Sequence, residues 1–274
     1  MAERLQKLQQ ELSQDQQKTE LEFTDEGRVG IIYLNAPKEL NALSDQMRKE
    51  LSQKINALSQ NPIVKVIVLL SKVEKAFCAG ANIKEFGGFT YQNQTLQDSM
   101  KQLDQALSEC VKPIICGANG VIFGGGFEVA LASDILILQE GSKLGLPETN
   151  IGIIPGMGGT IRLTKLVGQK LAMKIILSAQ PITDQQALQY GIASDIFKKE
   201  NFHEQVINQA KLIAQKSMFV LTAAKKSIQT ADEMGTTQAK QMEKQLVNTL
   251  CILPGKKEGY EAFVNKRKPN FNDI

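Results

Sequence analysis

Two glutamates occupy surroundings that folding alone does not explain. Glu128 follows three consecutive glycines in NGVIFGGGFE, and Glu148 follows Pro147 in the largely apolar LGLPETNIGIIPGMGGTIRL. A carboxylate among Leu, Ile, Gly and Pro is unfavourable unless it is paired or used, because burial penalises the charged form and raises the pKa. Two such acids suit general acid/base chemistry, one holding a proton while the other takes one. The structural alternative makes Glu128 the first-turn acid of a helix and Glu148 a surface acid in a turn. Gly124, Gly125 and Gly126 add a second element of chemistry. A run of glycines costs backbone entropy and implies that something approaches the main chain closely. Amides at such a helix start can receive an anion or a developing oxyanion. The stretch AFCAGANIKEF offers further amides around Gly80 and Ala81, where small residues follow directly on a buried strand.

Other chemistries are excluded by what the chain contains. The single histidine, His203, would have to serve any Ser-His-Asp or Cys-His catalysis and most zinc sites alone, which argues against all three. It lies in a polar, helix-like stretch over residues 201–209, where an exposed or capping role is expected. Cys78, Cys110, Cys116 and Cys251 show no CxxC spacing, so buried free thiols in a reducing compartment are expected. A nucleotide-phosphate loop is not expected either. The nearest approximation to GxGxxG, beginning at Gly156, puts Ile161 at the last glycine position, and no Walker lysine follows.

The elements that must position these residues follow from periodicity. Leu5, Leu8 and Leu12 share one helical face, so residues 1–17 read as a marginal amphipathic helix, with a disordered lead as the alternative. Residues 18–23 and 28–34 read as strands joined by the turn Thr24, Asp25, Glu26, Gly27. Ser44 is suited to cap a helix to about residue 60, with Met47, Leu51, Ile55 and Leu58 on its apolar face. A buried strand over 64–70, a helix over 96–110 and a strand over 113–117 make a parallel crossover unit. A short helix over 127–132, a strand over 135–138 and a helix beginning at Gly156 come next, and helical patterns then run to Asn265. The first two-thirds therefore read as α/β and the last third as helical.

At 274 residues, 42% hydrophobic and 22% charged, the chain has the composition of one soluble globular domain, and no apolar run is long enough to span a bilayer. The net charge of +3 is too small a surplus to imply nucleic acid as a partner. Basic residues do cluster at Lys225 and Lys226 and over residues 256–268. Residues 1–27 hold three basic side chains against seven acidic ones, which is not the composition of a cleavable mitochondrial presequence.

AFCAGANIKE, KPIICGANGVIFGGGFEVALASDI and PETNIGIIPGMGGTIRL together resemble the crotonase, or enoyl-CoA hydratase/isomerase, superfamily in order and spacing, most closely its short-chain hydratases. KKEGYEAFVNKRKPNF is similar to that family's closing helix, and the likeness covers residues 20–270. The resemblance implies an α/β fold, a crotonase-like spiral of ββα units with a C-terminal helical oligomerisation region. Residues 1–18 would form a helical lead, 19–200 the spiral core and 201–274 the helical region. It further implies a homo-oligomer, a trimer or a hexamer of two trimers, acting on an acyl-CoA thioester with no metal or redox cofactor, coenzyme A being part of the substrate.

By the same resemblance, the amides of Ala81 and Gly125 would form an oxyanion hole for the thioester oxygen. Glu128 would activate the water that attacks Cβ, and Glu148 would deliver the proton to Cα. Gly156, at a helix start after Pro155, would place another amide near that water. Lys38 in APKELNAL and the turn of Ala81, Asn82, Ile83 and Lys84, with Gly125, match positions that contact substrate and coenzyme A. Phe263 and Lys266 match a contribution from a neighbouring subunit. The implied compartment is the mitochondrial matrix, with the cytoplasm otherwise.

Two positions depart from the family pattern. Asn82 stands where aspartate is usual, removing a negative charge beside the oxyanion turn. Leu146 stands where many short-chain hydratases have glutamine, and its surroundings are similar to the methylglutaconyl-CoA hydratase branch. Hydration of a short-chain trans-2-enoyl-CoA, in fatty-acid or branched amino-acid degradation, is the leading expectation. The alternatives are a methylglutaconyl-CoA hydratase, or a structural or RNA-binding protein on the same fold that uses the basic clusters.

Overall fold

The computed structural model describes residues 2–13, 17–88 and 95–271. Helix α1 (Ala2–Glu11) precedes a hairpin of β1 (Thr19–Thr24) and β2 (Val29–Leu34), and α2 (Asp45–Gln60) follows. Three ββα turns come next: β3 (Val66–Ser71), β4 (Ala76–Cys78) and α3 (Thr95–Ser108); β5 (Ile114–Ala118), β6 (Val121–Phe123) and α4 (Gly125–Ala132); β7 (Ile135–Gln139), β8 (Lys143–Gly145) and α5 (Gly159–Val167). The chain closes with α6 (Gln169–Ser178), β9 (Ile182–Thr183), α7 (Asp184–Gln189), β10 (Asp195–Phe197), α8 (Phe202–Ala214), α9 (Met218–Glu233), α10 (Thr236–Cys251) and α11 (Pro254–Val264).

In each ββα turn the first strand joins a six-stranded sheet of order β1-β2-β3-β5-β7-β10 and the second a four-stranded sheet of order β4-β6-β8-β9. Pairing is parallel except at β1/β2 and β8/β9. This is the α/β spiral that the resemblance implies. The central strands are buried on both faces, so they carry near-continuous apolar runs. Ile32, Leu34, Ile67 and Leu69 face a core shared with α2, α3 and α4. The alternate residues Ile31, Tyr33, Val66 and Val68 meet Phe202, Val206, Ala210 and Ala214 of α8.

Local chemistry sets the element ends as the sequence predicts in several places. Ser44 caps α2 by accepting from the Met47 amide, and the apolar face of Met47, Leu51, Ile55 and Leu58 is wholly buried. The β1/β2 turn uses left-handed backbone at Asp25, Glu26 and Gly27. Leu5 is buried against this turn, and Leu8 and Leu12 pack on the core, so the lead is a docked helix that ends at Glu11 rather than running to residue 17.

Four expectations are corrected. His203 is half-buried, tilted against Tyr33 at 5.8 Å and hydrogen-bonded to the Ser71 backbone, because α8 turns that side toward the sheet; burial lowers its pKa. Cys251, at the end of α10, is exposed, whereas Cys78, Cys110 and Cys116 are buried. The helix expected from Gly156 begins at Gly159, since Gly158 takes a left-handed φ of 91°. Within the helical last third, β9 and β10 extend the two sheets. Among the described residues no helix is long and apolar enough to cross a membrane.

The C-terminal helices are fastened by lysines. Lys225 of α9 is buried, and its Nζ donates to the Lys112 carbonyl at 2.9 Å and to Asp134 Oδ2 at 2.7 Å. Lys65 Nζ donates to the carbonyls of Lys216 and Phe271. Lys225 is therefore no part of an exposed basic patch. Lys225→Met removes the charged donor from the Lys112 carbonyl and from Asp134, which keep only Cys110 Sγ and the Ile114 amide, and is expected to lower the unfolding free energy by about 2–3 kcal/mol in urea titrations. A midpoint equal to that of the unaltered protein would show that α9 is held by packing alone.

Candidate active site

Glu128 lies in the first turn of α4 with only 3% of its surface exposed. Its Oε1 accepts from the amides of Met157, at 2.7 Å, and Gly159, at 2.8 Å. Burial raises the Glu128 pKa, and the amides of Gly159, Met157 and Gly156 together with the Arg162 guanidinium oppose that rise. Arg162 is fixed in turn by the Met157 carbonyl and Asp104, each at 2.7 Å. Gly156 lies exposed ahead of α5 and not at the helix start expected of it, while its amide is one of the three that act on Glu128. The left-handed Gly158 turns the Met157 and Gly159 amides onto the carboxylate, and these make the close contacts.

Glu148 opens a 3-10 turn after Pro147 and is half-buried. Among the described residues its Oε2 is buried without a hydrogen-bond partner. Burial, reinforced by the charge of Glu128, pushes its carboxyl from the ordinary 4.5 up to about 7. The two acids are thus differentiated by their surroundings. One is held by amides that favour its carboxylate, while the other has only its own backbone amide to oppose the rise, leaves Oε2 unpartnered and is suited to carry a proton near neutral pH.

The glycine run lets backbone reach this pair. Gly124 has φ 51° and ψ −128°, and a Cβ on it would lie 2.8 Å from Glu148 Oε1. A Cβ on Gly126 would lie 2.5 Å from the Cβ of Cys78, so α4 starts in direct contact with β4. A Cβ on Gly125 would lie 3.8 Å from the Ala81 amide nitrogen and 3.0 Å from Leu43 Cδ1. Among the described residues neither the Ala81 nor the Gly125 amide donates to a protein acceptor. These two amides sit close together, next to Gly124 and the Glu148 carboxyl it meets.

The turn carrying Ala81 is braced from below. Leu43 pairs with Ala81 as an isolated parallel bridge, its amide donating to the Gly80 carbonyl at 2.8 Å. The Ala79 amide donates to the Leu40 carbonyl, which joins this turn to the 3-10 turn Pro37–Glu39; Lys38, Ile83 and Lys84 are all exposed. Asn82 Nδ2 donates to Glu85 Oε1 at 3.3 Å. An aspartate there would set two carboxylates against each other, which gives the departure at Asn82 a local physical reason. Phe263, 85% exposed, and Lys266 stand apart on and after α11, which packs against α10. Their expected role belongs to a neighbouring subunit, which one chain does not assemble.

Arg162, the amides of Met157 and Gly159, and the Leu43 brace were not anticipated from sequence. Only the glycines around Met157 signalled that backbone there has a special conformation. Leu146 is wholly buried in the core, so the side chain that suggested a different acyl branch does not face the cleft.

The family described as enoyl-CoA hydratase/isomerase matches residues 24–274. The chain is 41% identical over 245 residues to a mitochondrial enoyl-CoA hydratase of Pongo abelii, covering 89% of this chain and 84% of that protein. It is 35% identical over 253 residues to a 2,3-dehydroadipyl-CoA hydratase of Escherichia coli (strain K12), covering 92% and 98%. Among solved structures, an enoyl-CoA hydratase from Bacillus anthracis superposes with a TM-score of 0.89 at 30% identity, covering 94% of this chain and all of that one (100%).

Proposed function

The chain belongs to the enoyl-CoA hydratase/isomerase family, and on that premise we propose that it adds water to short-chain trans-2-enoyl-CoA thioesters, giving the 3-hydroxyacyl-CoA. The observation that carries this reading is the split between the two acids: Glu128 pinned by two amides, Glu148 beside it with a buried, unpartnered oxygen. Glu128 takes a proton from water as its oxygen bonds to Cβ. The π electrons move to the thioester oxygen, where the Ala81 and Gly125 amides receive the enolate charge, each donor contributing about 3–4 kcal/mol at the transition state. Glu148 then gives its proton to Cα, on the same face, and recovers one from Glu128. The carboxylates and amides cover every proton and charge in this sequence, so the proposal requires no metal or redox cofactor.

Asn82, Ile83 and Lys84 continue the turn from Ala81, and together with Lys38 they are proposed to receive the coenzyme A portion. Helix α10 buries no residue within the chain and α11 only Ala262, leaving Val247, Ile252, Tyr260 and Phe263 exposed. That apolar surface supports the proposed trimer or hexamer, in which Phe263 and Lys266 would reach a neighbouring site. The burial of Lys225, and the ion pair of Arg267 with Glu258, reduce the basic surface that an RNA-binding role would need. Likeness to the mitochondrial relative supports a matrix location, with the cytoplasm as the alternative.

Purified protein mixed with crotonyl-CoA is expected to remove the conjugated-enoyl absorbance, and the Glu128→Gln/Glu148→Gln double variant is not. Methylglutaconyl-CoA run in parallel reads the acyl preference. No loss with either substrate would overturn the short-chain reading and favour another acyl group or a binding role. A separate prediction concerns Gly124. Gly124→Ala forces a left-handed φ on alanine and presses a methyl against Glu148, so kcat for crotonyl-CoA is expected to fall by about 100-fold. An unchanged kcat would show that Glu148 has freedom to move without loss.

A further inference from the structure

Arg48 is wholly buried on α2, beside the apolar face of that helix. A buried guanidinium is costly unless every donor is used, and an apolar residue at such a position commonly serves stability as well or better. Here every nitrogen is engaged: Nη1 donates to the Leu43 carbonyl, Nε to Ser99 Oγ at 2.8 Å, and Nη2 to Glu85 Oε2 at 3.2 Å, with Asp45 at 3.9 Å. What distinguishes these partners is where they lead.

Leu43 and Glu85 grip the turn of residues 80–82 from both sides. The Leu43 amide holds the Gly80 carbonyl, and the Leu43 carbonyl that receives Arg48 also faces the Asn82 amide at 3.5 Å. Glu85 receives the Asn82 side chain and the Asp45 amide, and its own amide donates to the Asn82 carbonyl at 3.0 Å. The Ala81 peptide is thereby clamped between two residues that both bind Arg48. Leu43 also reaches the other donor, its Cδ1 standing 3.0 Å from where a Cβ on Gly125 would be. Leu43 therefore lies against both the turn that carries Ala81 and the start of α4 that carries Gly125.

We propose that Arg48 is a positioning residue for the hydration reaction, fixing through Leu43 and Glu85 the separation and aim of the Ala81 and Gly125 amides. It touches no reacting atom. Through Ser99 it also ties the same turn to α3, so the brace spans α2, the turn and α3 in one hydrogen-bonded cluster. The inference rests on the hydratase reading and deepens it. Displacing one oxyanion donor by a fraction of an ångström weakens enolate stabilisation without removing the binding contacts.

The test uses Arg48→Met and Arg48→Lys in the full chain. Lysine keeps a positive charge for Glu85 and Asp45 but cannot span all three partners, so it serves where methionine fails to fold. Both variants are expected to lower kcat on crotonyl-CoA by about 10–100-fold with KM within about threefold of the parent. The readout that a merely structural role would not move is the infrared band of butyryl-CoA labelled with 13C at its thioester carbonyl. Bound to the parent, that band is expected to lie well below its position in free butyryl-CoA; in the variants it is expected to return toward the free position. A kcat within twofold of the parent, or a fall in kcat with the carbonyl band unmoved, would overturn the proposal. A parent protein that neither hydrates crotonyl-CoA nor shifts the band would instead overturn the hydratase reading beneath it.

Discussion

Glu128→Gln is expected to lower kcat for crotonyl-CoA hydration by about 10³- to 10⁴-fold while the protein stays folded. Glutamine has the shape of the acid and its carbonyl oxygen can still accept from the Met157 and Gly159 amides, which now hold Oε1 at 2.7 and 2.8 Å. What disappears is a base able to take the proton from water. The substitution also removes the cost of burying a charge at a site only 3% exposed, so the thermal midpoint is expected to hold or rise. KM is expected to remain within about threefold, since the lost interaction belongs to the transition state. Steady-state kinetics with a thermal melt on the same preparation check both parts. A fall of less than tenfold in a folded variant would assign the base to another group.

Glu148→Gln is expected to lower kcat by about 10³-fold and to change two pH dependences at once. Its carboxyl is raised from 4.5 to about 7, chiefly by burial and further by the charge of Glu128. If it donates the proton to Cα, kcat/KM of the parent falls as pH rises through about 7, and the residual activity of the variant lacks that limb. The stability effect has a definite sign. A carboxyl whose folded pKa exceeds its unfolded one favours the folded state below the unfolded value, and this contribution is lost as pH rises through the folded value. Between pH 5 and pH 8 the parent is therefore expected to lose stability relative to Glu148→Gln, by about 1–3 kcal/mol after allowance for solvent screening. Urea titrations at the two pH values read the difference. Because the acids interact, the limb reports the pair rather than one residue.

The parts of this molecule readable in advance are those whose cause is local. Ser44 followed by Met47, Leu51, Ile55 and Leu58 specifies a capped amphipathic helix, and α2 forms there. The β1/β2 hairpin and the strands β3, β5 and β7 follow from apolar runs bounded by turn residues. The second strand of each ββα turn is not readable, because β4, β6 and β8 have three residues each and a two-residue period needs more. β9 and β10, of two and three residues, gain their identity from the sheet edges they extend.

The site divides the same way. Glu128, Glu148 and the glycine run announce themselves by an unfavourable context, and the structure does bring them together. Arg48 and Lys225 gave no such signal, since a charged residue on a helix reads as solvated unless its burial is known. The same limit explains why His203 and Cys251 exchange their expected environments, one turned toward the sheet and the other left on a helix end. Backbone donors are harder still. Nothing in the side chains of Met157 and Gly159 shows that their amides meet a carboxylate contributed by α4.

The most direct measurement is to run the crotonyl-CoA reaction in deuterium oxide and identify the product by NMR. The proposed mechanism predicts 3-hydroxybutyryl-CoA carrying one deuterium at C2, on the same face as the hydroxyl, formed by the parent and not by the double glutamine variant. A product with a migrated double bond, deuterium on the opposite face, or formation at the parent rate by the double variant would contradict hydration by the Glu128 and Glu148 pair.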